Sequence, residues 1–176
     1  MKKRPASPAP SRKRAEPPPP EDGHEAAARV LRQFRVVFNA VKTHFRAVEK
    51  KAGPAGAQVW ALSVVSSHPR IGVGELARSM DIHQSTASNL LKPLLEQGLV
   101  AAERSGVDRR AVHLHVTPAG ARVLRKAPGP FTGVLPEALA SLDAATLARL
   151  DRDLARVIGA LGADAKKGNV PLGQPE

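Results

Sequence analysis

The sequence predicts a mostly α fold that carries one small β-hairpin. Three observations predict it. Apolar residues recur at helical spacing through most of the chain. One pair of period-2 runs, "LVAAER" and "AVHLHV", flanks the basic turn "SGVDRR". The order along the chain is helix, short helix, tight turn, helix, hairpin, helix.

The 176 residues suffice for one domain with a real core. Aromatic residues make up only 3%, so that core is built mostly from Leu, Val and Ala. There are no cysteines, which excludes disulfides and thiolate metal sites and fits a cytoplasmic setting. The net charge of +11 calls for a polyanionic partner, nucleic acid or an anionic membrane surface. Residues 1–20 hold six Lys/Arg against one Glu, so nearly half the excess lies in the N-terminal stretch. No run reaches the roughly 18–20 apolar residues of a membrane span. "PPPP" follows the basic start where a signal peptide would be apolar, so neither a signal peptide nor a membrane partner is expected.

Residues 1–22 are rich in Pro, Ala, Lys and Arg and are expected to form a disordered basic arm. Residues 162–176 are expected to be a flexible tail. Between them, 23–161 should fold. A long helix spans about 24–51, with apolar rows at 30, 34, 37, 41 and 48 and at 31, 38 and 45. So broad an apolar face suits packing against a second copy of the chain. Pro54 permits a fresh start for a helix at 55–67, and Pro69 ends it. A short helix at 73–80 and the turn "DIH" lead into a helix at 84–97, closed by Gly98. The hairpin follows, with its turn near 105–109. Thr117 caps a helix that starts at Pro118. "APGP" at 127–130 interrupts it, and further helices are expected at 133–141 and 143–160. Pro93 lies inside the 84–97 helix and typically costs ~3 kcal/mol there. It predicts a kink near 89–93.

The 84–97 helix is two-faced. Gln84, Ser85, Thr86, Ser88, Asn89 and Lys92 form a polar face, while Ala87, Leu90, Leu91, Leu94 and Leu95 form an apolar one. Ser, Thr, Asn and Gln hydrogen-bond base edges and phosphates. A plain solvated face is the alternative, but such faces usually carry more Glu and Lys. A helix of this width fits the major groove, and a β-wing beside it reaches the minor groove. The architecture is therefore a winged helix-turn-helix joined to a helical lobe.

The stretch "VGELARSMDIHQSTASNLLKPLLEQGLVAAERSGVDRRAVHLHVTPAG" resembles the core of the MarR family of bacterial transcription regulators. The matching pieces are Glu75-Leu76-Ala77, the Ser/Thr-rich helix, Gly98-Leu99-Val100, Asp108 with Arg110, and Thr117 with Gly120. Val116 stands where the family usually has Leu. The resemblance covers about 70–126 closely; the flanking helices correspond in position and length only. It implies a winged helix-turn-helix over about 55–118 and dimerisation helices at about 24–51 and 118–161. It also implies a homodimer that reads double-stranded DNA at a pseudo-palindromic promoter site and represses. Many members release DNA when a small aromatic or phenolic acid binds. The DNA-binding set it implies is Gln84, Ser85, Thr86, Ser88, Asn89 and Lys92 on the helix, with Arg104, Asp108, Arg109 and Arg110 on the wing. His44 and Trp60 fall where the family's effector pocket lies, although core or dimer packing explains both as well.

His113 and His115 share one side of a strand, yet two histidines without further ligands do not make a metal site. No cofactor is called for. No nucleophile stands with its base, and "HPRIGVG" lacks the lysine of a phosphate loop. Two rival readings keep the fold: an architectural DNA-binding protein without an effector, and a winged-helix protein–protein module.

Strand parity counted back from Val112, Leu114 and Val116 puts Arg110 toward the body. Asp108 then holds Arg110 in a charge-assisted pair, and Arg109 is left to enter the minor groove. The two arginines exchange roles if parity fails at the turn. Such an exposed pair contributes about 0–1 kcal/mol. Asp108→Ala is therefore expected to weaken DNA binding while leaving the thermal midpoint nearly unchanged. Unaltered affinity in a titration would contradict the pairing.

Overall fold

A computed structural model describes residues 23–104 and 112–173. The chain divides into two units, 1–35 and 36–176. The boundary falls inside α1 (Gly23–Ala52), a 30-residue helix. There follow α2 (Gly56–Ser67), α3 (Val73–Ser79), α4 (Gln84–Glu96), β1 (Val100–Arg104), β2 (Val112–Val116), α5 (Pro118–Lys126), α6 (Val134–Ala140) and α7 (Ala144–Leu161). The expected order of elements is present, with ends shifted by a residue or two.

The helix starts are made by local chemistry. The Gln58 side chain accepts the Ala55 N–H at 3.2 Å, and Glu75 Oε2 accepts the Gly72 N–H at 3.1 Å. Each carboxyl or amide oxygen satisfies a donor that the helix itself leaves unpaired. Asp143 does the same for α7, accepting from Thr146 N at 2.9 Å and from Thr146 Oγ1 at 2.7 Å. The Thr146 hydroxyl, then the Thr146 N–H, hold the Asp143 carboxyl below its ordinary pKa. Gly98 takes φ 64° after α4, the left-handed value glycine meets without a Cβ penalty.

The core sits among α2, α3, α4 and the hairpin. Leu62, Leu76, Leu90, Leu94 and Leu114 are each at most 1% exposed. Burial of each such side chain contributes about 1.5–3 kcal/mol. The turn between α3 and α4 is closed by Ile82 N–H donating to Ala77 O at 3.0 Å. β1 and β2 are antiparallel, with Val100 opposite Val116 and Arg104 opposite Val112. Ile71 adds a bridge to Leu114 on the far side of β2, through Leu114 N–H to Ile71 O at 3.0 Å.

α4 is continuous through Pro93, and hydrogen bonding resumes with Gln97 N–H to Pro93 O at 3.0 Å. The ring removes one helical donor, and Leu90, Leu91 and Leu94 around it are buried. Residues within 165–173 contact the rest of the fold. Ala165–Asn169 forms a short 3-10 helix. Asn169 Nδ2 lies 3.2 Å from His83 Nε2, and Ala57 N–H donates to Gly173 O at 3.3 Å. The Phe45 ring covers Gly173, where a Cβ would strike it.

α5 is locked onto the hairpin by one residue. Thr117 Oγ1 donates to Gly98 O at 2.7 Å and accepts from Gly120 N at 3.1 Å. Thr117 N–H donates to Leu99 O at 3.1 Å. A Cβ on Gly120 would collide with that Leu99 carbonyl oxygen. Elsewhere in a helix, alanine beats glycine by roughly 0.5–1 kcal/mol. Here Gly120→Ala is expected to destabilise by about 1–3 kcal/mol, because the colliding atom is backbone. Urea unfolding checks the sign; a stabilised variant would contradict the close approach.

Candidate nucleic-acid interface

The surface of α4 divides as its sequence pattern requires. Ala87, Leu90, Leu91 and Leu94 are buried. Gln84, Ser85, Ser88, Asn89 and Lys92 are exposed, and Thr86 is half-buried. Leu95 departs from the expected apolar face. It is 39% exposed and lines a cleft between α4 and the hairpin with Leu91, Ala102, Val112 and Leu114. The Ser88 hydroxyl donates to Gln84 O at 2.9 Å, so its proton is spent inside the helix.

Gln84, the first residue of α4, borders an open notch. The start of α3 (Gly72–Glu75) and Val112 and His113 of β2 form its other walls. The helix-turn-helix and the hairpin thus present one continuous surface. His113 helps to fix it, because its Nδ1 lies 2.9 Å from Arg70 O. His115 Nε2 sits 3.2 Å from Glu103 Oε1 across the hairpin, an attraction only when the imidazole is protonated. His113 is thus engaged with a protein group, whereas the buried His115 Nε2 makes no hydrogen bond among the described residues.

The wing residues are placed unequally. Arg104 closes β1 opposite Val112. Asp108, Arg109 and Arg110 lie outside the described residues, in 105–111. Their roles at the tip stay an expectation of the sequence.

His44 and Trp60 have different surroundings. His44 Nε2 lies 3.0 Å from Pro130 O and the ring packs edge-on to Phe45. Trp60 packs against the core and lines a cavity of about 80 Å³ with Val41, Phe45 and Leu135. A larger groove of about 400 Å³ lies alongside, walled by Phe38, Val41, Phe45 and Leu172 and rimmed by Lys42 and Arg46. Those two cations escaped the sequence reading, since nothing in their spacing separates them from an ordinary solvated face. Among the described residues, no helix is long and apolar enough to cross a membrane.

Fold and surface together define a winged helix-turn-helix protein. A MarR-family model matches residues 52–111. A transcriptional regulatory protein put forward for the hcr operon of Thauera aromatica is 34% identical over 65 residues, 37% of this chain and 39% of that protein. The HTH-type transcriptional regulator YdgG of Bacillus subtilis (strain 168) is 42% identical over 57 residues, 30% of this chain and 36% of that one. The matched stretch spans less than two fifths of either relative. A crystal structure of a MepR like protein complexed with pseudoligands superposes with a TM-score of 0.53. It is 17% identical, over 78% of this chain and 97% of that one. At that identity the likeness concerns the fold.

The two faces of α4 are expected to respond oppositely to truncation. Leu90→Ala should cost about 2–5 kcal/mol of stability. Ser85→Ala should stay within about 0.5 kcal/mol of the native chain. Urea midpoints decide, and a costly Ser85→Ala would mean the polar face is structural.

Proposed function

We propose that this protein is a DNA-binding transcriptional regulator that reads duplex DNA as a homodimer. One observation carries the reading. The buried side of α4 is wholly apolar, and its exposed side presents short hydrogen-bonding side chains next to a β-wing. That is what major-groove reading needs: an anchored helix with donors and acceptors free to meet base edges. The net charge of +11 supplies the sequence-independent part of the affinity. The regulatory role agrees with the names of the two relatives. Repression of a pseudo-palindromic promoter site completes the proposal, with Gln84, Ser85, Thr86, Ser88, Asn89 and Lys92 on the bases and phosphates. Arg104, Asp108, Arg109 and Arg110 serve the wing.

The homodimer is supported by α7. It has no buried residue, and Leu147, Leu150, Leu154, Val157, Ile158 and Leu161 are each at least 36% exposed. A contiguous apolar row of that length is what a second copy of the chain would cover. Two-fold symmetry then places the half-sites about 10 bp apart.

A small aromatic or phenolic acid is the proposed effector. The Phe38–Phe45 groove is of ligand size, and Lys42 and Arg46 stand ready for a carboxylate. His44 is a weaker candidate for that role, because Pro130 O already holds its Nε2.

Footprinting on genomic DNA tests the function. One protected palindrome is expected; uniform protection would favour an architectural coat instead. On the protected site, Asn89→Ala and Gln84→Ala should each cost about 1–3 kcal/mol, with a smaller loss on unrelated duplex. Sedimentation checks the dimer: Leu154→Asp should shift the chain toward monomer.

A further inference from the structure

Arg70 holds a backbone conformation that arginine rarely takes. Its φ is 67°, in the left-handed region where a Cβ is costly. Such a residue persists only when its surroundings over-determine it. Both of its backbone polar groups are tied to β2. The N–H donates to Leu114 O at 3.1 Å, and the carbonyl oxygen lies 2.9 Å from His113 Nδ1. Glycine would meet the same backbone demand without strain. The chain has a long cation there instead.

Arg70 and Arg78 line one open notch of about 400 Å³, together with His68, Ser79 and Glu75. Glu75 is the acid there, and its Oε2 already accepts the Gly72 N–H. Among the described residues, neither guanidinium pairs with a carboxylate. Glu75 also borders the neighbouring notch of Gln84 and His113, so the two arginines continue the surface that begins at the first residue of α4. Two unpaired guanidiniums sharing one concavity suit a phosphate, whose oxygens match their forked donors.

We propose that Arg70 and Arg78 grip a backbone phosphate of the duplex, flanking the bases that α4 reads, with β2 setting Arg70 in place. This rests on the DNA-binding reading above. The hairpin then has a second task besides its tip: its inner strand positions a cation some distance from the groove. The contact carries no sequence information of its own, since phosphates are the same at every step.

Duplex binding across a potassium chloride series tests the proposal with the full chain, Arg70→Gly, Arg78→Gln and the double variant. The double variant should lower the magnitude of the log–log salt slope by about 0.9, the share of one neutralised phosphate. Affinity at fixed salt should fall several-fold, equally on the promoter site and on unrelated duplex. Arg70→Gly should keep or raise the thermal midpoint, because glycine relieves the backbone, so weakened binding cannot be laid to unfolding. A native chain that binds duplex while the double variant matches its slope and affinity would overturn the clamp alone. A loss confined to the promoter site would overturn it too, by showing base readout. A native chain that binds no duplex would overturn the functional reading and the clamp with it.

Discussion

The Thr117 side chain is the junction on which the putting together of helix and wing depends. Its hydroxyl donates to the carbonyl of Gly98, one residue beyond the end of α4's C-cap, and accepts the N–H that Gly120 would otherwise leave unpaired. One oxygen thus joins the exit of α4, the root of the hairpin and the first turn of α5. Without a Cβ on Gly120, the first turn of α5 lies directly on the Leu99 carbonyl. α4 and the hairpin can act as one reading head only if their angle is fixed, and this is where it is fixed. Ile71 and His113 brace the opposite side of β2.

The rest of the chain is built on a different principle. The residues of α2, α3, α4 and the hairpin bury one another, whereas α7 buries nothing and keeps a row of Leu, Val and Ile open. A single chain therefore completes the core of its winged helix-turn-helix and leaves the apolar row of α7 exposed. Leu172 and Gly173 lie beside Phe45 of α1, with Leu172 in the groove wall. The α2–α4 core and the open row of α7 are thereby separated along the sequence.

Much of this was legible without a structure. The two faces of α4 follow from a 3.6-residue period read directly along the sequence, and only Leu95 fell on the wrong side. Its displacement comes from the hairpin, which stops short of covering it. Pro93 lies inside α4, and the leucines around it belong to the core shared with α2 and α3. For His44 the sequence leaves a pocket role and a packing role open, and its partner at Pro130 lies 86 residues away.

By itself, the sequence determined the order of elements, the helix that carries the readable face, the hairpin beside it and the basic character of the whole. Those properties depend on periodicity, capping and charge, which act between near neighbours. The tertiary structure alone decided where Arg70 stands, what holds His113, and that Asn169 and Gly173 return to His83 and Phe45. These rest on contacts between distant positions, and on a left-handed backbone that no arginine announces. The physical reason is that a hydrogen bond between residues 43 or 86 positions apart leaves no repeat along the chain. It exists only once the core has brought the two ends of it together.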